Sequence, residues 1–373
     1  MPRARGRLVD DFTVTPWKVE GVIDYDRLVE RFGVRRMTGD VRARLARAAG
    51  GSHHLIDRGI FFSHRDLDAI LKTAEGGGRF FMYTGRGPSG TTHIGHLVPW
   101  ILARWLQERF GATVYFQLTD DEKFFAKPGL TLEEAGGHAL DNALDFAALG
   151  FDPDRTRIMI DTRDIAALYP IAARVAKKIT FSSTKATFGF TGETNIGMIF
   201  YTALQSAPCF IEDAPVLIPL GVDQDPHFRL TRDVAPVLGK PKPALIHSMM
   251  MPGLGGGGGK MSSSGDDAIL LSDDPRTVEK KIKKRAFSGG RTDVAEHRRL
   301  GGDPDVDVSF QYLRFLFEPD DSKLERLREE YASGRMLTGE LKQILIEKAN
   351  GFLEEHRARR EEIRPDLGSY MFG

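Results

Sequence analysis

Cysteine is almost absent from this sequence, which contains only Cys209 among its 373 residues. A single thiol cannot form an intramolecular disulfide, and it cannot supply the thiolate cluster of a structural zinc site. Long apolar runs are absent as well, since none reaches the roughly eighteen residues that a membrane-spanning helix needs. The basic N-terminal residues are not followed by the apolar stretch of a secretory signal. We therefore expect a soluble, cytoplasmic protein.

A net charge of one sign is also missing, because 52 basic residues balance 52 acidic residues. The overall charge therefore does not point to a nucleic-acid partner. The charge is nevertheless uneven along the chain, since residues 276–299 contain nine Lys or Arg against three Asp or Glu. Such a segment forms either the solvated face of a helix or a patch that contacts phosphates, and both interpretations stay open here.

Strand and helix patterns alternate through the middle of the chain. Short apolar runs predict buried strands, and apolar residues spaced by three and four predict helices between them. The strands are expected at residues 79–84, 113–119, 157–160, 216–220 and 244–249. Repeated strand-helix-strand units indicate an α/β fold with a Rossmann-like parallel sheet, whose ligand lies beyond the carboxyl ends of the strands.

These patterns divide the chain into three predicted parts. Residues 1–75 contain short amphipathic pieces, which we interpret as an N-terminal extension packed on the main domain. Residues 76–274 carry the alternating pattern and form the Rossmann-like domain. From residue 275 to residue 373 helical periodicity continues while strand signals nearly vanish, which predicts a C-terminal helical domain.

The tetrapeptide His93-Ile94-Gly95-His96 follows the first predicted strand of the Rossmann-like domain and begins a helix. The first N–H groups of a helix lack internal partners and the helix dipole adds positive potential, so such a turn binds anions. His93 and His96 can donate hydrogen bonds to a triphosphate, and Gly95 lets a nucleotide approach the backbone. The alternative is that one imidazole satisfies a buried acceptor and Gly95 only shapes the turn.

A glycine-rich segment, residues 85–90, joins that strand to the tetrapeptide. Its Arg86 carries a guanidinium, which forms bidentate pairs with phosphates and carboxylates. Taken alone, the segment is an ordinary turn. Its position directly before the two histidines favours a functional interpretation.

A second motif, Lys260-Met261-Ser262-Ser263-Ser264, follows five glycines far downstream. The Lys260 ammonium is suited to neutralise a departing pyrophosphate, the serine hydroxyls can donate to it, and the glycines can act as a hinge. A flexible linker is the alternative. Because no carboxylate cluster of the sequence resembles a metal site of the protein itself, we expect Mg2+ to arrive with ATP.

In this order the two motifs resemble the signatures of class I aminoacyl-tRNA synthetases. Longer strings resemble the archaeal and eukaryotic tryptophanyl-tRNA synthetases more narrowly, and these are YTGRGPS from Tyr83, QLTDDEK from Gln117, DQDPHFR from Asp223 and AFSGGR from Ala286. The resemblance extends over residues 11–373. It implies an enzyme that forms tryptophanyl-adenylate from L-tryptophan and ATP, transfers the tryptophanyl group to tRNA(Trp), and works as a homodimer.

The resemblance also implies roles for individual residues. Tyr83 and Gln117 would meet the indole N–H, and the substrate ammonium would be held by Glu122, Gln205 and Gln224. The expected catalytic groups are His93, His96, Lys260 and Arg86, and the expected ATP-binding residues are Gly85, Gly95, Met261, Ser262, Ser263 and Ser264. The helical domain would read the anticodon, with Lys283, Lys284 and Arg291 as candidate tRNA contacts.

Several alternatives stay open at this point. Tyr83 can be a core residue, Gln205 can cap a helix, and Lys123 can contact an anion or only pair with its neighbour. Tyrosyl-tRNA synthetases share the fold and both signatures, small-molecule nucleotidyltransferases also use the first motif, and a non-catalytic RNA-binding paralogue keeps the fold alone. An indole only donates a hydrogen bond, so a pocket that offers it buried acceptors rejects phenylalanine.

Overall fold

The computed structural model describes residues 12–14, 19–21, 23–256, 261 and 267–373. Its strands are β1 (Thr13–Val14), β2 (Val19–Glu20), β3 (Arg35–Arg36), β4 (Phe61–Arg65), β5 (Phe81–Arg86), β6 (Val114–Leu118), β7 (Thr156–Ile160), β8 (Val216–Gly221) and β9 (Ala244–Ser248). All nine precede residue 275.

The α-helices are distributed around these strands and continue beyond them. They are α1 (Tyr25–Phe32), α2 (Gly39–Ala49), α3 (His54–Asp57), α4 (Leu67–Glu75), α5 (Leu97–Phe110), α6 (Asp120–Ala126), α7 (Leu132–Ala147), α8 (Ile165–Ala176), α9 (Phe181–Phe188), α10 (Ile196–Leu204), α11 (Asp225–Val234), α12 (Pro275–Arg285), α13 (Val294–Leu300), α14 (Val308–Tyr312), α15 (Asp321–Ala332) and α16 (Thr338–Ile363). A short 3-10 turn, Ile94–His96, precedes α5 directly, and a π-helical turn, Leu313–Phe317, follows α14.

Seven strands form one sheet in the order β3-β4-β9-β8-β5-β6-β7. The five strands from β9 to β7 are parallel, and the two at the other edge are antiparallel. Strands β6 and β9 are buried along their whole length, as expected for parallel strands covered by helices on both faces. Two strands of the sheet, β3 and β4, come from the segment predicted as the N-terminal extension.

The chain reverses its direction across the sheet next to β5. It runs outward through β6 and β7, then returns to the other side of β5 to form β8 and β9. A crevice opens at the carboxyl ends of the strands where the strand order reverses in this way, and ligands of open α/β sheets bind there.

The C-terminal helices share a core with one face of the sheet. A single apolar cluster joins Met82 and Phe116 of the sheet to Leu345 and Leu353 of α16. The contact between α16 and α7 also includes Arg360, which bonds Asp141 at 2.6 Å. The helical part is therefore packed firmly against the sheet domain.

Candidate active site

A cavity of about 560 Å3 opens at the crevice beside β5. Its walls come from the ends of β5, β6 and β8, the 3-10 turn before α5, and α6. Eleven of the residues predicted from the motifs line it, and they are Tyr83, Gly85, Arg86, His93, Gly95, His96, Gln117, Glu122, Gln205, Gln224 and Met261. Residues distant in the sequence therefore surround one space.

One end of the cavity is a buried hydrogen-bonded network, which we call the indole end. The Tyr83 hydroxyl lies 2.5 Å from Oε1 of Gln117 and 3.0 Å from the carbonyl oxygen of Gln205. Nε2 of Gln117 donates to Oδ1 of Asp161 at 2.7 Å. Burial raises the pKa of Tyr83 well above its ordinary value, so the hydroxyl keeps its proton.

Asp161 was not among the predicted site residues. It directly follows β7, one strand away from Gln117, at the same edge of the sheet. The only sequence signal was a carboxylate immediately after a predicted strand, which is the place where α/β sheets bind their ligands.

Charged and amide groups line the wall next to the indole end. Glu122 is almost fully buried, and its carboxylate accepts from Nζ of Lys123 at 2.8 Å. Oε1 of Gln205 is buried and accepts no hydrogen bond from the described residues. Nε2 of Gln224 donates to Asp223 at 3.0 Å. A carboxylate and an unfilled acceptor on one wall suit an ammonium group.

The wall that carries Gln224 is fixed from behind by Asp225, the first residue of α11. Its carboxylate accepts from Arg65 at 2.7 Å and lies 3.0 Å from Nε2 of His247. Burial raises the pKa of Asp225, but the bonds from His247 and Arg65 outweigh that effect and lower the pKa to about 2. Asp225 therefore stays charged and anchors the turn.

The other end of the cavity, which we call the phosphate end, is formed by the 3-10 turn. The rings of His93 and His96 lie with their centroids 3.7 Å apart. Nδ1 of His96 lies 3.3 Å from the N–H and 3.2 Å from the carbonyl oxygen of His93, so the tautomer decides which bond forms. A Cβ on Gly95 would come within 3.0 Å of the His93 ring, which explains why a residue without a side chain is needed there.

Backbone pairing brings the downstream motif to this turn. The N–H of Ile94 donates to the carbonyl of Ile269 at 3.0 Å, and the N–H of Leu271 donates to Thr92 at 2.9 Å. Met261 is buried, and its sulfur lies 3.4 Å from the position that a Cβ on Gly95 would take. The two motifs therefore meet at the phosphate end.

Part of the downstream motif has no described structure. Lys260, Ser262, Ser263 and Ser264 lie outside the described residues. The described residues on either side of this segment are in contact, since the N–H of Leu254 donates to the carbonyl of Asp267 at 2.9 Å.

Arg86 lies in the cavity wall but bonds its own loop. Its guanidinium donates to the hydroxyl of Thr92 and to the carbonyl of Thr91, the latter at 3.0 Å. Burial lowers its pKa to about 10. In this arrangement Arg86 braces the glycine-rich loop, and its predicted contact with a phosphate stays a prediction.

The predicted tRNA contacts do not line the cavity. Lys283 and Lys284 are exposed at the end of α12, where Lys283 pairs with Glu279 at 2.6 Å. Arg291 is exposed as well, and its Nε donates to the carbonyl of Gly301 at 2.9 Å. The basic segment thus forms part of the surface of the helical region.

Comparison with known proteins identifies the family. The family model described as tRNA synthetases class I (W and Y) matches residues 75–354. The tryptophan--tRNA ligase of Saccharolobus solfataricus is 53% identical over 356 residues, which cover 95% of this chain and 94% of the relative. The chain belongs to the tryptophan--tRNA ligase family of class I.

Solved structures support the same assignment. The crystal structure of Plasmodium falciparum tryptophanyl-tRNA synthetase matches with a TM-score of 0.89 and 39% identity, covering 94% of this chain and 98% of that one. The Encephalitozoon cuniculi enzyme, solved bound to tryptophan, matches with a TM-score of 0.86 and 35% identity, covering 95% and 99%. The resemblance stated from the motifs and the predicted α/β fold are confirmed, and the protein is an aminoacyl-tRNA ligase whose family uses ATP, tryptophan and tRNA.

Two further features of the described residues concern membranes and metals. Within the part of the chain that the structure describes, no helix has the length and apolar character needed to cross a bilayer. Across the same ranges, His, Cys, Asp and Glu side chains nowhere gather in threes in a way that could hold a metal ion.

Proposed function

We propose that this protein activates L-tryptophan with ATP and then esterifies tRNA(Trp). In the first step a carboxylate oxygen of tryptophan attacks the α-phosphorus of ATP, and the bond to pyrophosphate breaks. In the second step a hydroxyl of the terminal adenosine of tRNA attacks the acyl carbon, and AMP leaves. The observation that carries the proposal is one cavity that has buried hydrogen-bond acceptors at one end and the two-histidine turn at the other.

Tyr83 and Gln117 are proposed to recognise the indole. Their oxygens lie in the buried indole end, and the indole N–H can only donate. An amino acid without that donor leaves a buried acceptor unpaired, which costs more than the loss of a few apolar contacts. The same argument explains how such a site can reject phenylalanine.

Glu122, Gln205 and Gln224 are proposed to bind the substrate ammonium. Glu122 supplies the negative charge, and the unfilled Oε1 of Gln205 supplies a neutral acceptor. Lys123 pairs with Glu122 at 2.8 Å. We infer that the ammonium shares or replaces this partner when tryptophan binds.

The phosphate end is proposed to hold ATP. The side chains of His93 and His96 donate to the phosphates, and Gly85 and Gly95 leave room for the nucleotide. The downstream motif is assigned to the leaving pyrophosphate, with Lys260 as its main cation and Met261, Ser262, Ser263 and Ser264 around it. Mg2+ enters as part of the ATP substrate, as the charge of the departing pyrophosphate requires.

Residues 275–373 are proposed to form the anticodon-binding domain, beside the sheet domain of residues 76–274 and the N-terminal segment of residues 1–75. Lys283, Lys284 and Arg291 are its candidate contacts to tRNA. Their exposure, and the exposed ring of Phe287 nearby, supports this assignment, because single-stranded RNA is bound by cations and by stacking on rings.

A cytoplasmic homodimer is the proposed assembly. Helices α6, α8 and α10 pack together, and they leave large apolar side chains exposed, among them Tyr169 and Ile196 at 55% and 83%. Contiguous exposed apolar groups mark interaction surfaces. Sedimentation velocity should give a dimer for the wild type and a monomer for Ile196→Asp, whereas a monomeric wild type would reject the proposal.

The decisive test is ATP-pyrophosphate exchange with each of the standard amino acids in turn. Exchange that depends on tryptophan alone is the expected result, and it does not require the tRNA. Exchange with tyrosine would leave the assigned fold intact but would overturn the pocket assignment. Exchange with no amino acid would favour the non-catalytic alternative.

A further inference from the structure

Asp161 does not itself line the cavity, but it bonds Gln117, which does, and the proposed reaction gives Asp161 no role. It is fully buried, and its Oδ1 accepts from Nε2 of Gln117 at 2.7 Å. Its second oxygen, Oδ2, is buried and accepts no hydrogen bond from the described residues. Burying a carboxyl group costs free energy unless the group is hydrogen-bonded or neutral.

The contact with Asp161 determines which end of the Gln117 amide faces the cavity. A glutamine amide has one donor end and one acceptor end, and these can exchange places with little change of shape. Nε2 of Gln117 has two acceptors, Oδ1 of Asp161 at 2.7 Å and the carbonyl of Leu204 at 3.4 Å. Rotating the amide would bring its oxygen against the Leu204 carbonyl, so the observed orientation presents Oε1 towards Tyr83 and the cavity.

We propose that Asp161 is a positioning residue that determines specificity by holding Oε1 of Gln117 towards the indole N–H of tryptophan. The inference rests on the proposed function, because it takes tryptophan as the substrate and Gln117 as its acceptor. With the amide reversed, the indole N–H would meet an NH2 group, and donor would face donor.

The surroundings of Asp161 indicate how it performs this role in a buried site. Burial, followed by the negative charge of Asp121, raises the pKa of Asp161 well above its ordinary value. A neutral carboxyl group has one accepting oxygen and one O–H donor. The first accepts from Gln117, and the second can donate to the neighbouring Asp121 carboxylate, whose hydrogen bond also raises the pKa of Asp161. Asparagine has the same arrangement of acceptor and donor, so Asp161→Asn is an isosteric control.

The experiment compares tryptophan with β-(benzothiophen-3-yl)alanine, in which sulfur replaces the indole N–H. The readout is the ratio of kcat/KM for the two substrates in ATP-pyrophosphate exchange. Asp161→Ala should lower this ratio by about tenfold, mainly through a higher KM for tryptophan, with the KM for ATP unchanged. Asp161→Asn should keep the wild-type ratio.

A matched control lies in the same turn. Asp164 also accepts a hydrogen bond, from the N–H of Ile160 at 2.8 Å, but Ile160, unlike Gln117, does not line the cavity. Asp164→Ala should leave the ratio unchanged. An unchanged ratio in Asp161→Ala, or an equal fall in the Ala and Asn variants, would overturn the assigned role.

A second arm remains informative if Asp161→Ala does not fold. Gln117→Glu replaces the donor end of the amide with an oxygen that faces Asp161, so kcat/KM for tryptophan should fall. Adding Asp161→Asn supplies a donor and should recover about tenfold of that loss. A double variant no better than the single one would show that the contact is not coupled to recognition. If the wild type fails to exchange with tryptophan at all, the proposed function fails instead.

Discussion

The two ends of the cavity are built differently. At the indole end, Tyr83, Gln117 and Asp161 are buried, and hydrogen bonds of 2.5 and 2.7 Å join them. At the phosphate end, two imidazoles in tilted contact and Gly95 lie on a short turn that is paired by backbone bonds to Ile269 and Leu271.

Under the proposed function, the indole end recognises the substrate and the phosphate end carries out the activation. A pocket that discriminates by buried hydrogen bonds must hold its acceptors in place, since a mobile acceptor would adapt to the wrong substrate. A site that stabilises a departing anion must instead admit and release it. We therefore expect changes at the indole end to alter substrate choice, and changes at the phosphate end to alter the rate of activation.

The largest effect is expected from Lys260→Ala, which removes the cation proposed for the leaving pyrophosphate. Loss of the cation opposite the leaving pyrophosphate should slow adenylate formation by about 100- to 1000-fold, while tryptophan affinity stays nearly intact. Stopped-flow measurement of adenylate formation and equilibrium binding of tryptophan would separate the two. Lys240→Ala, which removes a surface partner of Asp213, is the control. Equal losses in rate and affinity would contradict the separation of the two ends.

The matching change at the indole end is Gln117→Ala. Removing the acceptor should lower kcat/KM for tryptophan by about 100-fold and reduce discrimination against phenylalanine. Gln107→Ala serves as a control, because Gln107 is also a buried amide, bonded to the Arg155 carbonyl at 3.1 Å. If the variant still discriminates against phenylalanine, Gln117 does not recognise the indole.

Asp225→Asn tests whether the charge of Asp225 stabilises the turn that carries Gln224. Its pKa of about 2 lies below the ordinary 3.8, so its contribution to stability is complete above pH 3.8 and is lost as the pH falls towards 2. The variant should lose about 2 kcal/mol of unfolding free energy at neutral pH, and the deficit should shrink in acid. Urea unfolding at several pH values measures this, with the exposed Asp213→Asn as control. A deficit that does not depend on pH would contradict the assignment.

Gly87→Ala examines the wall between the two ends. A Cβ there would lie 2.2 Å from Cε of Lys123 and 2.6 Å from Oε2 of Glu122, so the ion pair must move. We expect the KM for tryptophan to rise by about tenfold with little change in kcat. Gly137→Ala, where a Cβ meets nothing within 4 Å, should have no such effect. An unaltered KM would show that the ammonium is held elsewhere.

The smallest expected effect lies outside the cavity. Replacing Lys283 and Lys284 with Gln should weaken tRNA binding a few-fold and reduce its salt dependence by about one to two units of slope, without altering pyrophosphate exchange. The exposed pair Lys177 and Lys178, also replaced with Gln, is the control. An unchanged salt slope would favour the other interpretation of α12, in which its basic residues form a solvated helix face.

Much of the fold follows from local patterns. The predicted strand at 113–119 is observed at Val114–Leu118, and α7 begins at Leu132, where Thr131 and Glu134 form a capping box of the kind that local sequence specifies. Strands β3 and β4 were not predicted. Strand β3 has only two residues, and β4 pairs with β9, which lies far along the chain. Local periodicity signals neither feature.

The sequence by itself determined the alternation of strands and helices and the two motifs, and through the resemblance it determined the family and its chemistry. Only the tertiary structure decided that Asp161 bonds Gln117, that Arg86 bonds its own loop, and that residues 269–271 pair with the two-histidine turn. The first and the third of these contacts join residues far apart in the chain. Their partners are chosen by burial and strand order, which no local pattern encodes.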